Sequence, residues 1–191
     1  MTNVSIIGTG TMGQAIAAVV GRAGHTVQLL GQNDLDTPAN GDIVVLAVPY
    51  PAVSGVLEQR RGELDGKIVV DITNPLNFET FDELTVPAGS SAAAEIAARL
   101  PNARVLKAFN TTFAGTLAAG TVGPLTTTVL IAGDDADAKS TLAGIVSSGG
   151  LKAIDAGGLN RARELEALGF LQITLAVNEK VSWTGGFGVI A

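Results

Sequence analysis

The 191-residue chain contains no cysteine and a single histidine, His25. Without thiols there are no disulfides and no thiolate metal sites, a composition compatible with a reducing compartment. One imidazole cannot build a histidine-rich metal centre, so no metal ligands are assigned. Although 47% of the residues are hydrophobic, no apolar run approaches the ~18 residues of a membrane-spanning helix. The longest runs have the length of strands and end in Gly, Pro or Asp. No basic stretch or cleavage signal stands before the first strand pattern, and a cytoplasmic protein with no membrane partner is expected. Twelve Lys and Arg stand against 18 Asp and Glu, a net charge of −6. No basic stripe is left to meet a phosphate backbone, which disfavours nucleic acid as a partner. HExxH, P-loop and glycine-flanked serine motifs are absent too.

What is present is an alternation of short apolar runs and helical patterns. A typical domain spans ~100–200 residues, so residues 1–191 are expected to form one domain. At this size it buries roughly 70% of its unfolded surface without staples.

The most informative stretch is Asn3 to Gly24, NVSIIGTGTMGQAIAAVVGRAG. A buried strand is predicted at 4–7 and a helix through Met12, Ile16, Val19, Val20 and Ala23, closed by Gly24. Between them Gly8, Thr9, Gly10, Thr11, Met12 and Gly13 fit GxGxxG in the strand-to-helix setting that gives the motif meaning. Gly8 permits the tight turn, Gly10 lets a diphosphate approach the backbone, and Gly13 lets helix and strand pack closely. The helix N-terminus offers free N–H donors.

A second strand is predicted at 25–30, where His25, next to a helix-ending glycine, reads as structural. In such a unit a carboxylate about 20 residues past the glycines bonds the adenosine ribose of NAD, and a basic or neutral group tolerates the 2′-phosphate of NADP. This chain has Gly31, Gln32 and Asn33 there, which favours NADP. Asp34 and Asp36 follow closely enough to turn in. The segment 31–41 is too short for a crossover helix and a further strand, so the chain is expected to pass directly to the next strand.

That strand, 42–48, is apolar throughout, as in a parallel sheet covered on both faces, and ends in Ala47, Val48, Pro49 and Tyr50. A helix is expected at 52–61, then a strand at 67–71 followed by Asn74 and Pro75. After an irregular stretch at 78–89, Ser90 or Ser91 caps a helix to Leu100. A strand at 104–109 ends in Asn110, Thr111 and Thr112. A strand at 126–132, a helix opened by Asp134 or Asp135, a strand at 151–155, a helix from a cap at Asn160 to about Lys180, and an apolar tail at 183–191 complete the chain. The pattern is α/β: a single doubly wound, mostly parallel sheet, the Rossmann NAD(P)-binding fold. Ligands of such sheets lie at the carboxyl ends of the strands.

The polar residues predicted there are neutral, which suits binding and orientation more than proton transfer. No catalytic residue is assigned; Lys107 and Asp71, the titratable groups near strand ends, read as structural charges. Hydride transfer between two bound ring systems asks little more of a protein than alignment. Three readings stay open at this point: an NADP-linked oxidoreductase that passes hydride to a second bound ring system, a reductase of a small carbonyl or imine, and a non-catalytic NADP-binding sensor or partner subunit.

Four blocks taken together, Gly8 to Gly13, Asp71 to Leu76, Lys107 to Thr111, and Asp155 to Gly157 with Ala162 to Glu166, resemble the NADPH-dependent reductases of the deazaflavin coenzyme F420. They are also similar to the reductase domain of the STEAP-type metalloreductases. The resemblance spans nearly the whole chain in the family order. It implies bound NADP with F420 or a flavin against the nicotinamide as second, small-molecule redox substrate. It further implies that Thr9, Gln32 and Asn33 hold the 2′-phosphate, that Pro49 and Tyr50 flank the nicotinamide, and that Asn74, Pro75 and Asn110 line its far side. A homodimer is implied as well. The apolar character of residues 167–177 around the helix, with Trp183, Phe187, Val189 and Ile190, points independently to a subunit contact.

Overall fold

Apolar residues occupy all of Ile43–Leu46 (β3), and Ile68–Asp71 (β4) is apolar up to its last residue; both strands are buried on both faces. Such strands need parallel neighbours on either side and helices above and below. The computed structural model describes residues 1–190 and supplies both. Asn3–Ile7 (β1) lies between Thr26–Leu30 (β2) and β3, followed by β4 and Arg104–Lys107 (β5), all parallel. Thr128–Gly133 (β8) and Lys152–Gly157 (β9) extend the sheet, in the order β2-β1-β3-β4-β5-β8-β9.

Successive residues of a strand point to opposite faces, and the core divides accordingly. Ile43 and Val45 pack with Ile16 and Val19 of helix α1 (Thr11–Arg22) and with Leu142 and Ile145 of helix α5 (Ala136–Ser148). Val44 and Leu46 pack with Val53 and Leu57 of helix α2 (Tyr50–Leu64) and Ile96 of helix α3 (Ala92–Arg99). The sheet is doubly wound, as the strand and helix patterns predict. From β1 the chain turns one way to β2 and then crosses to β3 on the other side of β1, so the order reverses between β1 and β3.

The crossing from β2 to β3 contains no helix, in line with the short segment. Its backbone is satisfied from below. Arg60, only 3% exposed, donates to the carbonyls of Thr37 and Asp34 at 2.8 Å each. Glu63 accepts from the Ala39 N–H at 2.8 Å, and Lys67 donates to the Ala39 carbonyl.

Several expectations are corrected. Helix α2 starts at Tyr50 and runs to Leu64 instead of covering 52–61, because Pro51 is accepted in a first helical turn where its missing N–H costs nothing. The strand at 126–132 is divided: Thr121–Val122 (β6) and Leu125–Thr126 (β7) form a hairpin, preceded by helix α4 (Ala114–Ala119), and β8 then runs antiparallel to β5. Asn160 does not cap the last helix. Residues Leu159–Arg161 form a 3-10 turn, anchored where Asp134 accepts from the Leu159 N–H at 2.8 Å, and helix α6 (Ala162–Val177) starts after it and ends before Lys180. Ser91 and Asp135 do cap their helices, accepting from Ala94 N–H at 3.0 Å and Ala138 N–H at 2.7 Å. Of the tail at 183–191, Ala191 lies outside the described residues.

Candidate functional site

The register aligns the ends of five strands: Leu30 with Ile7, Ile7 with Leu46, Leu46 with Asp71, and Asp71 with Lys107. The residues after each end therefore share one edge of the sheet, on either side of the β1/β3 reversal. Gly8 to Gly13, Gln32 and Asn33, Ala47 to Tyr50, Asn74 with Pro75, and Asn110 are all carried to that edge.

The three motif glycines have different reasons to be glycine. Gly8 has φ +121, and a Cβ there would strike the Ala47 carbonyl. A Cβ on Gly13 would strike the Gly8 carbonyl, so this glycine sets the helix-to-strand approach. A Cβ on Gly10 meets nothing within 4 Å; its backbone faces open space. Helix α1 starts at this point with no side-chain cap and no acidic residue in its first turn. The N–H groups of Thr11, Met12 and Gly13 thus have no partner within the helix, and Thr9, Gly10 and Thr11 are exposed. Gln14 steadies the turn by donating to the Thr9 carbonyl at 2.9 Å. Helix N–H donors without a side-chain cap, next to a residue without a side chain, could hold the diphosphate of a dinucleotide.

Next to it, at the tip of β2, Gln32 and Asn33 are exposed. Asp34 turns in: its Oδ2 accepts from the Gly31 N–H at 2.8 Å. Thr9 reaches the same place, since a Cβ on Gly31 would meet both Thr9 Oγ1 and Asp34 Oδ2 at 3.5 Å.

The other end of the edge is built differently. Asp71 Oδ1 accepts from the Thr73 N–H at 2.8 Å, turning the chain after β4. Asn74 donates to the Asn110 carbonyl and accepts from the Asn110 amide, each at 2.9 Å. Asn110 is buried and donates also to the Leu165 carbonyl at 2.8 Å, while its Oδ1 and the Thr73 hydroxyl have no partner among the described residues. Phe109 precedes it with φ +63 and is buried, a costly conformation for a bulky residue that packing must enforce. Pro75 is buried, Ala47 and Val48 half-buried, and Pro49 exposed. Tyr50 lines a groove of about 180 Å³ between α2 and α3 with Ser54, Glu95 and Arg99. Burial pushes its phenol up from the usual range, aided by the charges of Glu95, Glu166 and Asp71.

Beneath the asparagine pair lies a cluster of charges with no direct route to solvent. Lys107 Nζ donates to Asp71 Oδ2 at 2.7 Å, Glu166 Oε1 at 2.8 Å and the Thr73 carbonyl at 2.6 Å. Glu166 in turn accepts from the N–H groups of Ala92 at 2.9 Å and Ala93 at 3.3 Å, the first turn of α3. Burial pushes the Glu166 carboxyl above the ordinary glutamate range, against the pull of Lys107. Lys107 and Asp71, read from their strands as structural charges, are both fully buried and paired with each other. Glu166 is the member that sequence reasoning missed. A signal existed: the buried face of α6 is Ala162, Leu165, Glu166, Gly169, Gln172 and Ala176, so two polar residues occupy core spacing. Gly169 is required there because a Cβ would press on Asn74 and the Asn110 carbonyl.

Among the described residues no group of three metal-ligating side chains lies together, and no helix is long and apolar enough to cross a membrane. The edge offers backbone N–H donors, neutral amides and hydroxyls, and one carboxylate at the tip of β2. It can bind and orient; it holds no nucleophile paired with a base.

Residues 30–75 match a family model described as NADP oxidoreductase coenzyme F420-dependent, and residues 3–41 match that of the 3-hydroxyacyl-CoA dehydrogenase NAD binding domain. Over 171 residues the chain is 30% identical to the F420-dependent NADP reductase of Methanocaldococcus jannaschii, covering 87% of this chain and 76% of that protein. It is 31% identical over 180 residues to rat metalloreductase STEAP3, covering 86% of this chain and 36% of that one. A solved structure from Arthrobacter sp. FB24 matches over 100% of both chains with a TM-score of 0.85 and 25% identity.

Proposed function

The chain belongs to the family of F420-dependent NADP reductases, and from that premise we propose that it passes hydride between NADPH and a deazaflavin of the F420 type. The nicotinamide and the deazaflavin supply the reacting carbons; the protein's task is to bind them in line and keep them there. The observation that carries this reading is the uncapped, acid-free start of α1 over the open backbone of Gly10, at the β1/β3 reversal.

On this reading Gly8, Thr9, Gly10, Thr11, Met12 and Gly13 hold the diphosphate, with Gln32 and Asn33 beside the adenosine ribose. Ala47, Val48, Pro49 and Tyr50 border the nicotinamide on one side, and Asn74, Pro75 and Asn110 on the other. The unpartnered Asn110 Oδ1 and Thr73 hydroxyl support that assignment, because buried polar atoms without partners are uncommon outside sites. No side chain is assigned a proton-transfer role. Mixing the protein anaerobically with NADPH and F420, a free flavin, or a panel of carbonyls and imines, and following coenzyme absorbance, tests the reading. Oxidation of NADPH with F420 is expected; turnover only with carbonyls or imines, or with none, would contradict it.

Residues 1–191 act as one domain, and the protein works as a homodimer. The outward side of α6 supports the dimer: Leu171 is 50% exposed, and Val177, Trp183 and Phe187 are exposed with it. A patch of this kind is covered in most stable proteins. Sedimentation at micromolar concentration should give twice the chain mass. A reducing, cytoplasmic setting suits a cysteine-free chain that uses NADPH, and the net charge of −6 argues against nucleic acid as a partner.

A further inference from the structure

We infer that Asp34 is the residue that sets coenzyme selectivity in this chain, and that it brings NADH within reach of a site otherwise suited to NADPH. The inference rests on the dinucleotide reading above. With the diphosphate on the first turn of α1, the adenosine ribose falls next to the tip of β2. Gly31 lies there between the Thr9 side chain and the Asp34 carboxylate. The hydrogen bond from the Gly31 N–H to Oδ2 fixes that carboxylate at the tip, leaving Oδ1 and the remaining lone pairs for a ligand. An ionised carboxylate accepts from ribose hydroxyls and repels a 2′-phosphate.

The two loops that meet there offer no cation to a 2′-phosphate. Residues 8–14 and 30–41 contain no Lys, Arg or His. Arg60, below the loop, is committed to the Asp34 and Thr37 carbonyls and to Glu63, at 2.8, 2.8 and 3.1 Å, and is buried. The 2′-phosphate is therefore left with neutral donors, from Thr9, Gln32 and Asn33, facing one fixed negative charge. NADPH still binds, but its advantage over NADH is held to about tenfold or less.

The test is a fluorescence titration of the reduced coenzymes, with no second substrate present. Wild-type protein is expected to bind NADPH and NADH with dissociation constants within about tenfold of each other. Asp34→Asn keeps an acceptor for the Gly31 N–H and removes only the charge. It should tighten NADPH about five- to tenfold, less at raised ionic strength, while NADH stays unchanged or weakens. Asp34→Ser, which can also close the turn, should shift the ratio in the same direction. Equal effects on both coenzymes, no effect on either, or a wild-type preference for NADPH above about a hundredfold would overturn the inference. Wild-type protein that binds neither coenzyme would overturn the dinucleotide reading and this inference together. Binding of both that is indifferent to position 34 would sink the role of Asp34 alone.

Discussion

Of the helices that start near the carboxyl edge of the sheet, α1 and α3 treat their first turns in opposite ways. At α3 the chain satisfies its own N–H groups: Ser91 accepts from Ala94, and Glu166, reaching over from α6, accepts from Ala92 and Ala93. At α1 there is no side-chain cap, no acid in the first turn and no side chain on Gly10. The same backbone dipole is satisfied within the chain in one place and left without a side-chain partner in the other. A helix N-terminus is thus informative about ligands only when the protein has declined to cap it. The filled terminus also has a use. Through Glu166 and Lys107 it ties α3, α6, β4 and β5 into one block, on which the Asn74–Asn110 pair is mounted.

The largest expected effect comes from breaking the filled end. Lys107→Met leaves two buried carboxylates facing each other without a cation, and should destabilise the protein by about 3–5 kcal/mol in urea unfolding. Acid should restore part of the loss, because protonating Glu166, whose carboxyl burial already raises, removes the repulsion. The open end is broken in the opposite sense by capping it. Gly10→Asp places a carboxylate where a Cβ has free space and should weaken NADPH binding by at least about tenfold. Stability should stay the same or rise by a few tenths of a kcal/mol, since Asp is a better N-cap than Gly. Ser91→Ala removes one cap of α3 and should cost about 1 kcal/mol with no change in coenzyme affinity.

The smallest effect is a slope. Burial raises the Glu166 carboxyl, so its protonated form is favoured in the folded state. That contribution is fully present below the unfolded glutamate pKa and is lost as pH rises through the folded value. Wild-type stability should therefore fall relative to Glu166→Gln over the window just above the ordinary glutamate range, as read from denaturation midpoints against pH. A parallel pair of profiles would show that Lys107 offsets the burial of Glu166 completely.

The open end was legible in the sequence because it is contiguous. Gly8 to Gly13 stand within six residues, between an apolar run and a helical pattern, and each glycine has a local reason. The direct passage from β2 to β3 was legible from a segment too short for a helix. Asn74, Pro75 and Asn110 were legible because each follows an apolar strand. The filled end was not. Asp71 and Lys107 are 36 residues apart, and Ala92 and Glu166 are 74 apart; their meeting depends on tertiary packing that no local pattern encodes. The antiparallel direction of β8 was hidden for a similar reason, since an apolar run looks the same in either direction. The sequence leaves both Asp34 and Asp36 close enough to turn in, and the hydrogen bond from the Gly31 N–H that turns Asp34 in depends on the loop's backbone path.

The most direct measurement is an NADPH titration of isotopically labelled protein followed through its backbone amide resonances. The amides of Thr11, Met12 and Gly13 should move with saturable binding, while those of Ala92, Ala93 and Ala94 stay still. Movement at α3 with α1 silent, or no saturable movement at either helix, would contradict the account.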